Sequence, residues 1–389
     1  MVPTPPDPSE APGDPPVSSA VAECLTARAG DSSGAEAAPQ CISRPSKWAI
    51  VCFLLIAFGL SWSIAIPLGL LLRQSGSEQA ASLACLIGLA GFVGMWAPSV
   101  GAYVVRKHVE RSGFEDAGLA GSAWQYVALA WFGPFVLSFM AVQLALLLYA
   151  FDPAAQHLNS FADQIEQTHP HSGGLDFGSA LVIALTVGTG LHCIDTFGEE
   201  FDWRGYLLPR LMELWGSWPG LLAHGAIWGL WHAPVLVLLR PPYPQYPELA
   251  VPMFAVLCML LGVLLGWLRL ASGSILTTSI AHAAYNNSLL LALLLPSDVN
   301  PALAGTLSSP LGWGVLALAI AGLQCSGALP RTLRAWQEQP SHRADVWQQE
   351  LAETIAGIQR PRRRRVWSAL RRARAARERA RVPASRISS

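Results

Sequence analysis

Three short groups of polar residues lie beside or within apolar stretches of the chain, where charge is costly and usually functional. The first is the segment 199–204, Glu-Glu-Phe-Asp-Trp-Arg; the second is Trp228-x-x-x-His232, and the third is His282-x-x-x-Asn286. A spacing of four puts both members of each pair on one face of a helix. Three such groups on separate apolar helices can meet only inside a bundle. The pattern therefore predicts a polar reaction chamber within a membrane.

Helical geometry separates the roles of Glu199 and Glu200. Successive residues are rotated by about 100°, so the two carboxylates cannot face the same direction. Glu200 and Arg204 have the i,i+4 spacing of an ion pair, which leaves Glu199 free to point elsewhere. A carboxylate in an apolar pocket takes up a proton more readily than one in water, which suits proton transfer near neutral pH. We therefore expect Glu199 to be a general base.

The other two groups supply imidazoles and an amide. His232 and His282 could orient a water, accept its proton or bind a metal. Asn286, one helical turn from His282, could donate a hydrogen bond to a developing oxyanion. These groups suffice for attack of water on a peptide carbonyl. Glu199, His232 and His282 could also hold a Zn²⁺ ion with one open position, as in hydrolytic zinc sites, and the residues leave both schemes open.

The composition indicates an all-α membrane protein. The chain is 52% hydrophobic and 13% charged, against about 25% charged residues in a soluble domain. Eight apolar runs have about the length that spans a bilayer as a helix. They are 47–72, 80–105, 124–150, 177–197, 218–239, 249–269, 274–296 and 309–325. We expect a polytopic bundle of about eight transmembrane helices around a central polar cavity.

The basic residues predict the orientation. With a cytoplasmic N-terminus, the four loops predicted outside contain Arg73 and Arg240 as their only basic residues. An even number of spans then places both termini in the cytoplasm and the segment 199–204 near the cytoplasmic face. Only two of the 26 basic residues are Lys, which is typical of a GC-rich bacterium. We therefore expect an integral protein of the bacterial plasma membrane.

Two polar tails flank a transmembrane domain predicted at 46–329. Residues 1–45 contain nine Pro and no apolar periodicity, which predicts disorder. Residues 330–389 form the predicted cytoplasmic tail, and the last thirty of them contain 12 Arg. Apolar residues recur at helical spacing from Trp347 to Ile358, which is typical of an amphipathic helix on an anionic lipid surface. Nucleic-acid binding is the competing interpretation, but no recognition motif accompanies the Arg residues, so we expect no nucleic-acid partner.

The three groups, in this order, resemble the motifs of the CAAX protease and bacteriocin-processing (CPBP, or Abi-type) family of intramembrane endopeptidases. That family, which includes the type II CAAX prenyl endopeptidase, shows Glu-Glu-x-x-x-Arg, then aromatic-x-x-x-His, then His-x-x-x-Asn or Asp. The resemblance covers roughly residues 180–290 and includes the string Arg-Gly-Tyr-Leu-Leu-Pro at 204–209. Trp228 departs from the pattern because Phe is commoner there. We expect this bulky aromatic side chain to serve the same packing role.

The resemblance implies an intramembrane endopeptidase that hydrolyses a peptide bond in a membrane-associated peptide or protein. It implies that Glu199 acts as general base on the attacking water, and that His232 helps to hold and polarise this water. The family has been described both as metal-dependent and as a glutamate-type protease, and both schemes use the same side chains.

By the same resemblance, Glu200 and Arg204 would orient the site or the substrate, while His282 and Asn286 would stabilise the oxyanion. Two other classes of function use similar residues. A non-catalytic scaffold or bacteriocin self-immunity protein could keep the motifs as a polar core. A proton-coupled transporter would also place Glu and His inside a bundle, but the chain shows no inverted repeat of broken helices.

Overall fold

A computed structural model describes residues 47–74, 84–150, 182–239, 247–295 and 304–339, together with the single positions 179 and 299. These residues belong almost entirely to one compact unit, Ser43–Trp336. The predicted disordered segment 1–45 and the predicted amphipathic helix around 347–358 lie outside the described residues.

The regular structure within these described ranges is helical throughout. Ten α-helices are present there: α1 (Lys47–Gln74), α2 (Ala84–Val104), α3 (Trp124–Ala150), α4 (Thr189–Asp202), α5 (Leu208–Trp215), α6 (Ser217–Trp231), α7 (Ala250–Ser272), α8 (Ile275–Ser288), α9 (Pro310–Cys325) and α10 (Ala328–Gln337). Wider π-helical turns occupy Val105–Glu110, Ala184–Gly188, Trp203–Leu207 and Val235–Leu239. Tighter 3₁₀ turns occupy Glu115–Ala117, Pro247–Leu249 and Leu289–Leu294.

Four helices in the described part of the chain are long and apolar enough to cross a membrane. They are α1, the segment Leu86–Glu110, the segment Trp124–Leu148 of α3, and α7. Helices α9 and α10 would form a fifth span if taken together, and they meet at an angle of 68°. The prediction of an all-helical membrane protein is therefore confirmed, whereas neither the number of eight spans nor a central cavity is.

The helices that carry the three polar groups are too short to span a bilayer alone. Helices α4, α6 and α8 contain 14, 15 and 14 residues. A π-helical turn follows α4, Pro234 and a second π-helical turn follow α6, and a 3₁₀ turn follows α8. Such departures from regular α-helix are frequent at functional sites. The length of an apolar run does not reveal them, so the sequence predicted more regular helices.

Helix packing places α4 and α8 between other helices. Helix α4 packs against α2 and α8, and α8 packs against α3 as well. The described side chains of α8 are mostly buried, although the helix is rich in Ser, Thr and Asn. Hydrogen bonds between helices satisfy several of them: Thr196 of α4 donates to the Ser279 carbonyl at 2.9 Å, and the Ser138 and Ser288 hydroxyls lie 2.6 Å apart. These bonds fix α8 in the interior.

Helices α6 and α7 approach each other closely along a stripe of glycine. A Cβ atom on Gly225 would lie 2.5 Å from the Met259 Cα, and one on Gly229 would lie 2.6 Å from the Ala255 Cα. Gly225 and Gly229 are four residues apart and therefore share one face of α6. Small residues at this spacing allow close approach of transmembrane helices. The contact fixes the depth and rotation of α6, the helix that carries Trp228.

Helix α10 runs across the domain boundary predicted at 329/330. Its Leu329, Leu333 and Trp336 are buried in one cluster with Leu208 and Leu221. The compact unit accordingly extends to Trp336.

Candidate active site

The ion pair expected from the spacing of Glu200 and Arg204 is present. Arg204 Nη1 donates to Glu200 Oε1 at 2.8 Å, and both side chains are fully buried. His282 Nδ1 lies 3.0 Å from the same Oε1 atom. Because an ionised carboxylate can only accept, Nδ1 carries the hydrogen in this contact. Glu200 therefore joins α4 to α8 and fixes the orientation of the His282 ring.

Glu199 faces a different helix. Its Oε2 atom accepts a hydrogen bond of 2.9 Å from the indole Nε1 of Trp228, and its side chain is buried. The two adjacent glutamates thus have separate partners, Trp228 of α6 for Glu199 and the Arg204 and His282 side chains for Glu200.

The indole of Trp228 lies at the centre of the group. The guanidinium carbon of Arg204 sits 4.0 Å from the centroid of this ring, in cation–π contact. The imidazoles of His282 and His232 meet it edge to face, with centroids 5.2 Å and 5.8 Å away. One aromatic side chain therefore contacts residues from all three sequence motifs.

His232 stands where α6 ends, and the break in the helix determines its hydrogen bond. The backbone N–H of His232 bonds to the Gly229 carbonyl at 3.2 Å rather than to that of Trp228. The Trp228 carbonyl instead lies 2.9 Å from His232 Nδ1. Since a carbonyl can only accept, Nδ1 carries the hydrogen, and Nε2 of the neutral ring has the free lone pair.

Asn286 is the predicted site residue with the fewest contacts. It is half-buried on α8, one turn after His282, and makes no hydrogen bond within the described residues. The neighbouring Asn287 is the buried amide: its Nδ2 atom donates to the Ala283 carbonyl at 3.1 Å and to Thr189 Oγ1 at 3.3 Å. The structure therefore brings Glu200, Arg204 and His282 into direct contact, and it links Glu199 and His232 to them through Trp228. Asn286 adjoins them only along its helix.

The zinc hypothesis needs three ligands around one point. Within the described ranges, no group of three His, Cys, Asp or Glu side chains is arranged to hold a metal ion. Glu199 Oε2 is bonded to an indole, and the Nδ1 atoms of His232 and His282 are bonded to oxygen acceptors. These hydrogen bonds occupy one atom of each side chain and do not engage Glu199 Oε1 or the Nε2 atoms of the two rings. The Zn²⁺ set therefore stays a prediction.

Two residues near the site make contacts that the sequence did not predict. Trp228 was expected only to pack as a bulky aromatic side chain, yet its N–H group donates to Glu199. The sequence contained a sign of this contact, because Trp replaces the commoner Phe and Phe has no N–H donor. Asp202 received no role, yet it is fully buried and interacts electrostatically with Glu199, Glu200 and Arg204.

An ionic network holds the π-helical turn that follows the first motif. Arg106 donates to the Gly205 carbonyl at 2.8 Å and pairs with Asp116, while Arg210 also contacts Asp116. Burial raises the pKa of Asp116, but the hydrogen bond and charge of Arg106 and the charge of Arg210 outweigh it and bring this pKa below its ordinary value. The network ties the loop before α3 to the end of the motif.

Comparison with known protein families gives one match in the region of these contacts. Residues 178–288 match the family described as type II CAAX prenyl endopeptidase Rce1-like. The matched segment contains all six predicted site residues, and it confirms the family that the three motifs indicated. No match was found among curated proteins.

Proposed function

Starting from the membership of residues 178–288 in the Rce1-like family of CAAX prenyl endopeptidases, we propose that the protein is an intramembrane endopeptidase. The observation that carries the proposal is the arrangement around Trp228. The site combines three features on apolar helices. One oxygen of a buried carboxylate accepts a hydrogen bond, two imidazoles are hydrogen-bonded through their Nδ1 atoms, and an Arg–Glu pair compensates its own charges. This arrangement supports hydrolysis by an activated water.

In the proposed reaction, Glu199 removes a proton from water as the water oxygen attacks the carbonyl carbon of a peptide bond. The C–O bond forms and the carbonyl oxygen becomes negatively charged. When the tetrahedral intermediate collapses, the C–N bond breaks and the leaving nitrogen takes the proton from Glu199. The free Nε2 lone pair of neutral His232 can accept a hydrogen bond from the same water and hold it for attack.

Stabilisation of the oxyanion is assigned to His282 and Asn286. Because Nδ1 of His282 donates to Glu200, its Nε2 atom can donate to an oxyanion only when the ring is an imidazolium. The amide of Asn286, which has no partner within the described residues, would supply a second donor from the same face of α8.

The proposed substrate is a peptide or a protein segment associated with the membrane. The site residues lie on short helices packed among apolar ones, which favours substrates delivered from the lipid phase. The family name refers to prenylated CAAX proteins. For this chain we propose membrane-associated peptides or protein segments in general, because the proposed site residues act on the peptide bond and none of them is assigned to a lipid group.

Replacing Glu199 by Gln tests the proposal directly. The change keeps the size of the side chain but removes the base, so cleavage should fall by at least about a hundredfold while the protein still accumulates in the membrane. Peptides from membranes and medium would be compared by mass spectrometry between a deletion strain carrying the wild-type gene and one carrying Glu199→Gln. The exposed Glu115 gives a matched control, because Glu115→Gln makes the same chemical change away from the motifs.

The same experiment separates an enzyme from a scaffold or immunity protein. A scaffold would lose stability in the Glu199→Gln variant, yet its phenotype would return once protein levels were restored. Unchanged peptides in that variant would remove Glu199 as the base and favour the non-catalytic alternative.

A further inference from the structure

We propose that Trp228 is a positioning residue for the general base: its indole N–H holds one oxygen of Glu199 so that the other is presented to the attacking water. The catalytic consequence rests on the proposed function, whereas the contact itself can be tested without any cleavage assay.

The hydrogen bond leaves the Glu199 carboxylate with two different oxygens. Oε2 accepts from Trp228 Nε1 at 2.9 Å, and Oε1 makes no hydrogen bond within the described residues. A hydrogen bond to a charged acceptor is about twice as strong as a neutral one and is directional. The indole therefore restricts rotation of the carboxylate group and leaves Oε1 as the oxygen that can receive a proton.

Arg204 strengthens the donor. Its guanidinium lies over the indole face, 4.0 Å from the ring centroid, while its Nη1 atom is bonded to Glu200. A cation on the face of an aromatic ring attracts the ring's electron density, which makes the N–H group a better donor. Arg204 and Trp228 thus connect the two adjacent glutamates. Glu200 compensates the charge of Arg204, whereas Glu199 is the proposed base.

The backbone of Trp228 positions a second site residue. Its carbonyl accepts the hydrogen of His232 Nδ1, which fixes the tautomer with a free lone pair on Nε2. The residue itself cannot withdraw from the site, because Gly229 beside it and Gly225 one turn earlier are packed against the backbone of α7. Trp228 therefore holds both groups that are proposed to bind the attacking water.

A packing role alone does not account for this geometry. The indole nitrogens of Trp203, Trp231 and Trp267 are buried and have no acceptor within the described residues, so these side chains act through their rings. Trp228 is buried as Trp203 and Trp231 are, but it directs its N–H group at a carboxylate. The hydrogen bond of the Trp228 N–H group is therefore a contribution distinct from the packing of its ring. A variant that removes the N–H group and keeps an aromatic ring tests it.

Trp228→Phe removes the donor and keeps an aromatic ring. We expect kcat to fall by about tenfold to a hundredfold, the range for loss of a hydrogen bond to a charged group, while KM changes by less than about twofold. Trp267→Phe is the matched control: it makes the same chemical change at an indole without an acceptor, and kcat should stay within about twofold of wild type. Equal kcat in wild type and Trp228→Phe would overturn the positioning role.

Coupling to Glu199 distinguishes positioning from general support. Glu199→Asp keeps the charge but shortens the side chain by one methylene, so that it no longer reaches the indole. In this background, Trp228→Phe should cause no further loss of kcat beyond about twofold. Additive losses would show that Trp228 acts independently of Glu199 and would overturn the proposal.

The contact has a spectroscopic readout that does not depend on turnover. Ultraviolet resonance Raman spectra of the full-length protein in lipid nanodiscs report hydrogen bonding of indole N–H groups. The bonded indole component of the wild-type spectrum should lose the same intensity in Glu199→Leu and in Trp228→Phe, while the contribution of Trp62, whose Nε1 donates to the Trp231 carbonyl at 3.0 Å, remains in both. Identical spectra for wild type and Glu199→Leu would overturn the contact. A Glu199-dependent component in a wild-type protein that cleaves nothing would instead count against the proposed protease activity.

Discussion

At the scale of single residues, the buried Glu200–Arg204 pair explains how two adjacent glutamates differ. Moving a charge into an apolar interior carries a large desolvation penalty, and a buried pair is maintained only when its geometry is good. Arg204 meets that need by contacting Glu200 through Nη1 and the Trp228 ring through its face. Glu199 has no cation among its hydrogen-bond partners within the described residues and receives one indole donor instead. This difference supports the proposed role of Glu199 in proton transfer.

Arg204→Met should therefore destabilise the protein strongly, because it leaves the Glu200 charge buried without its cation. We expect a loss of about 3–5 kcal/mol, the usual result of breaking a buried pair from one side. The measurement is thermal unfolding of all variants in the same detergent, monitored by tryptophan fluorescence. The double variant Glu200→Gln with Arg204→Met removes both charges and should recover much of the loss. A single variant as stable as wild type would show that the pair contributes little.

At the scale of elements, the position of the site depends on close contact between helices. Helix α6 carries Trp228 and ends beside His232, and its glycine stripe sets its distance from α7. Helix α8 is held by polar bonds to α3 and α4, which brings His282 to Glu200. In lipid there is no hydrophobic driving force between apolar helices, so small residues and interhelical hydrogen bonds determine where they meet.

Gly225→Ala should disturb this arrangement, since the added Cβ would lie 2.5 Å from the Met259 Cα. Backbone cannot move aside as a side chain can, and overpacking of this kind typically costs about 1–3 kcal/mol. Cleavage should fall as well, because α6 must shift or rotate. Gly322→Ala on α9 is the control: nothing lies within 4 Å of its added Cβ, and its stability should change by less than about 1 kcal/mol. Equal melting temperatures for the two variants would contradict the close contact.

At the scale of the whole molecule, the distribution of basic residues predicts the orientation in the membrane. The family match and the apolar helices support membrane integration. The even number of spans that puts both termini in the cytoplasm stays a prediction, as does contact of the Arg-rich tail with anionic lipid. Arg residues are retained on the cytoplasmic side during insertion, and the inner leaflet carries the negative surface potential that attracts them.

Reporter fusions test this orientation. Green fluorescent protein joined after Ser389 should fluoresce, and alkaline phosphatase at the same place should be inactive, because the C-terminus is predicted to be cytoplasmic. Phosphatase inserted near 151–176, one of the four loops predicted outside and one without Lys or Arg, should be active. Active phosphatase at the C-terminus would mean an odd number of spans or the reverse orientation.

The sequence by itself determined the helical class, the membrane environment, the family of the segment around the motifs and the spacing that pairs Glu200 with Arg204. Those features follow from local rules: apolar run length, helical periodicity and the order of three motifs. The sequence did not determine where the motif helices end. A helix can break only where another group donates a hydrogen bond to the carbonyl that loses its helical partner, as His232 Nδ1 does for the Trp228 carbonyl.

The tertiary structure alone decided which side chains meet. Beyond its own helix α6, Trp228 contacts residues of α4, of the π-helical turn that follows α4, and of α8. No local rule connects Glu199 to a residue 29 positions away. Helix α8 shows the same limit. Its spacing placed His282 and Asn286 on one face, yet packing brought His282 to Glu200 and left Asn286 half-buried without a hydrogen bond in the described residues. A helix face is a property of periodicity, whereas a contact depends on the depth and rotation at which two helices pack.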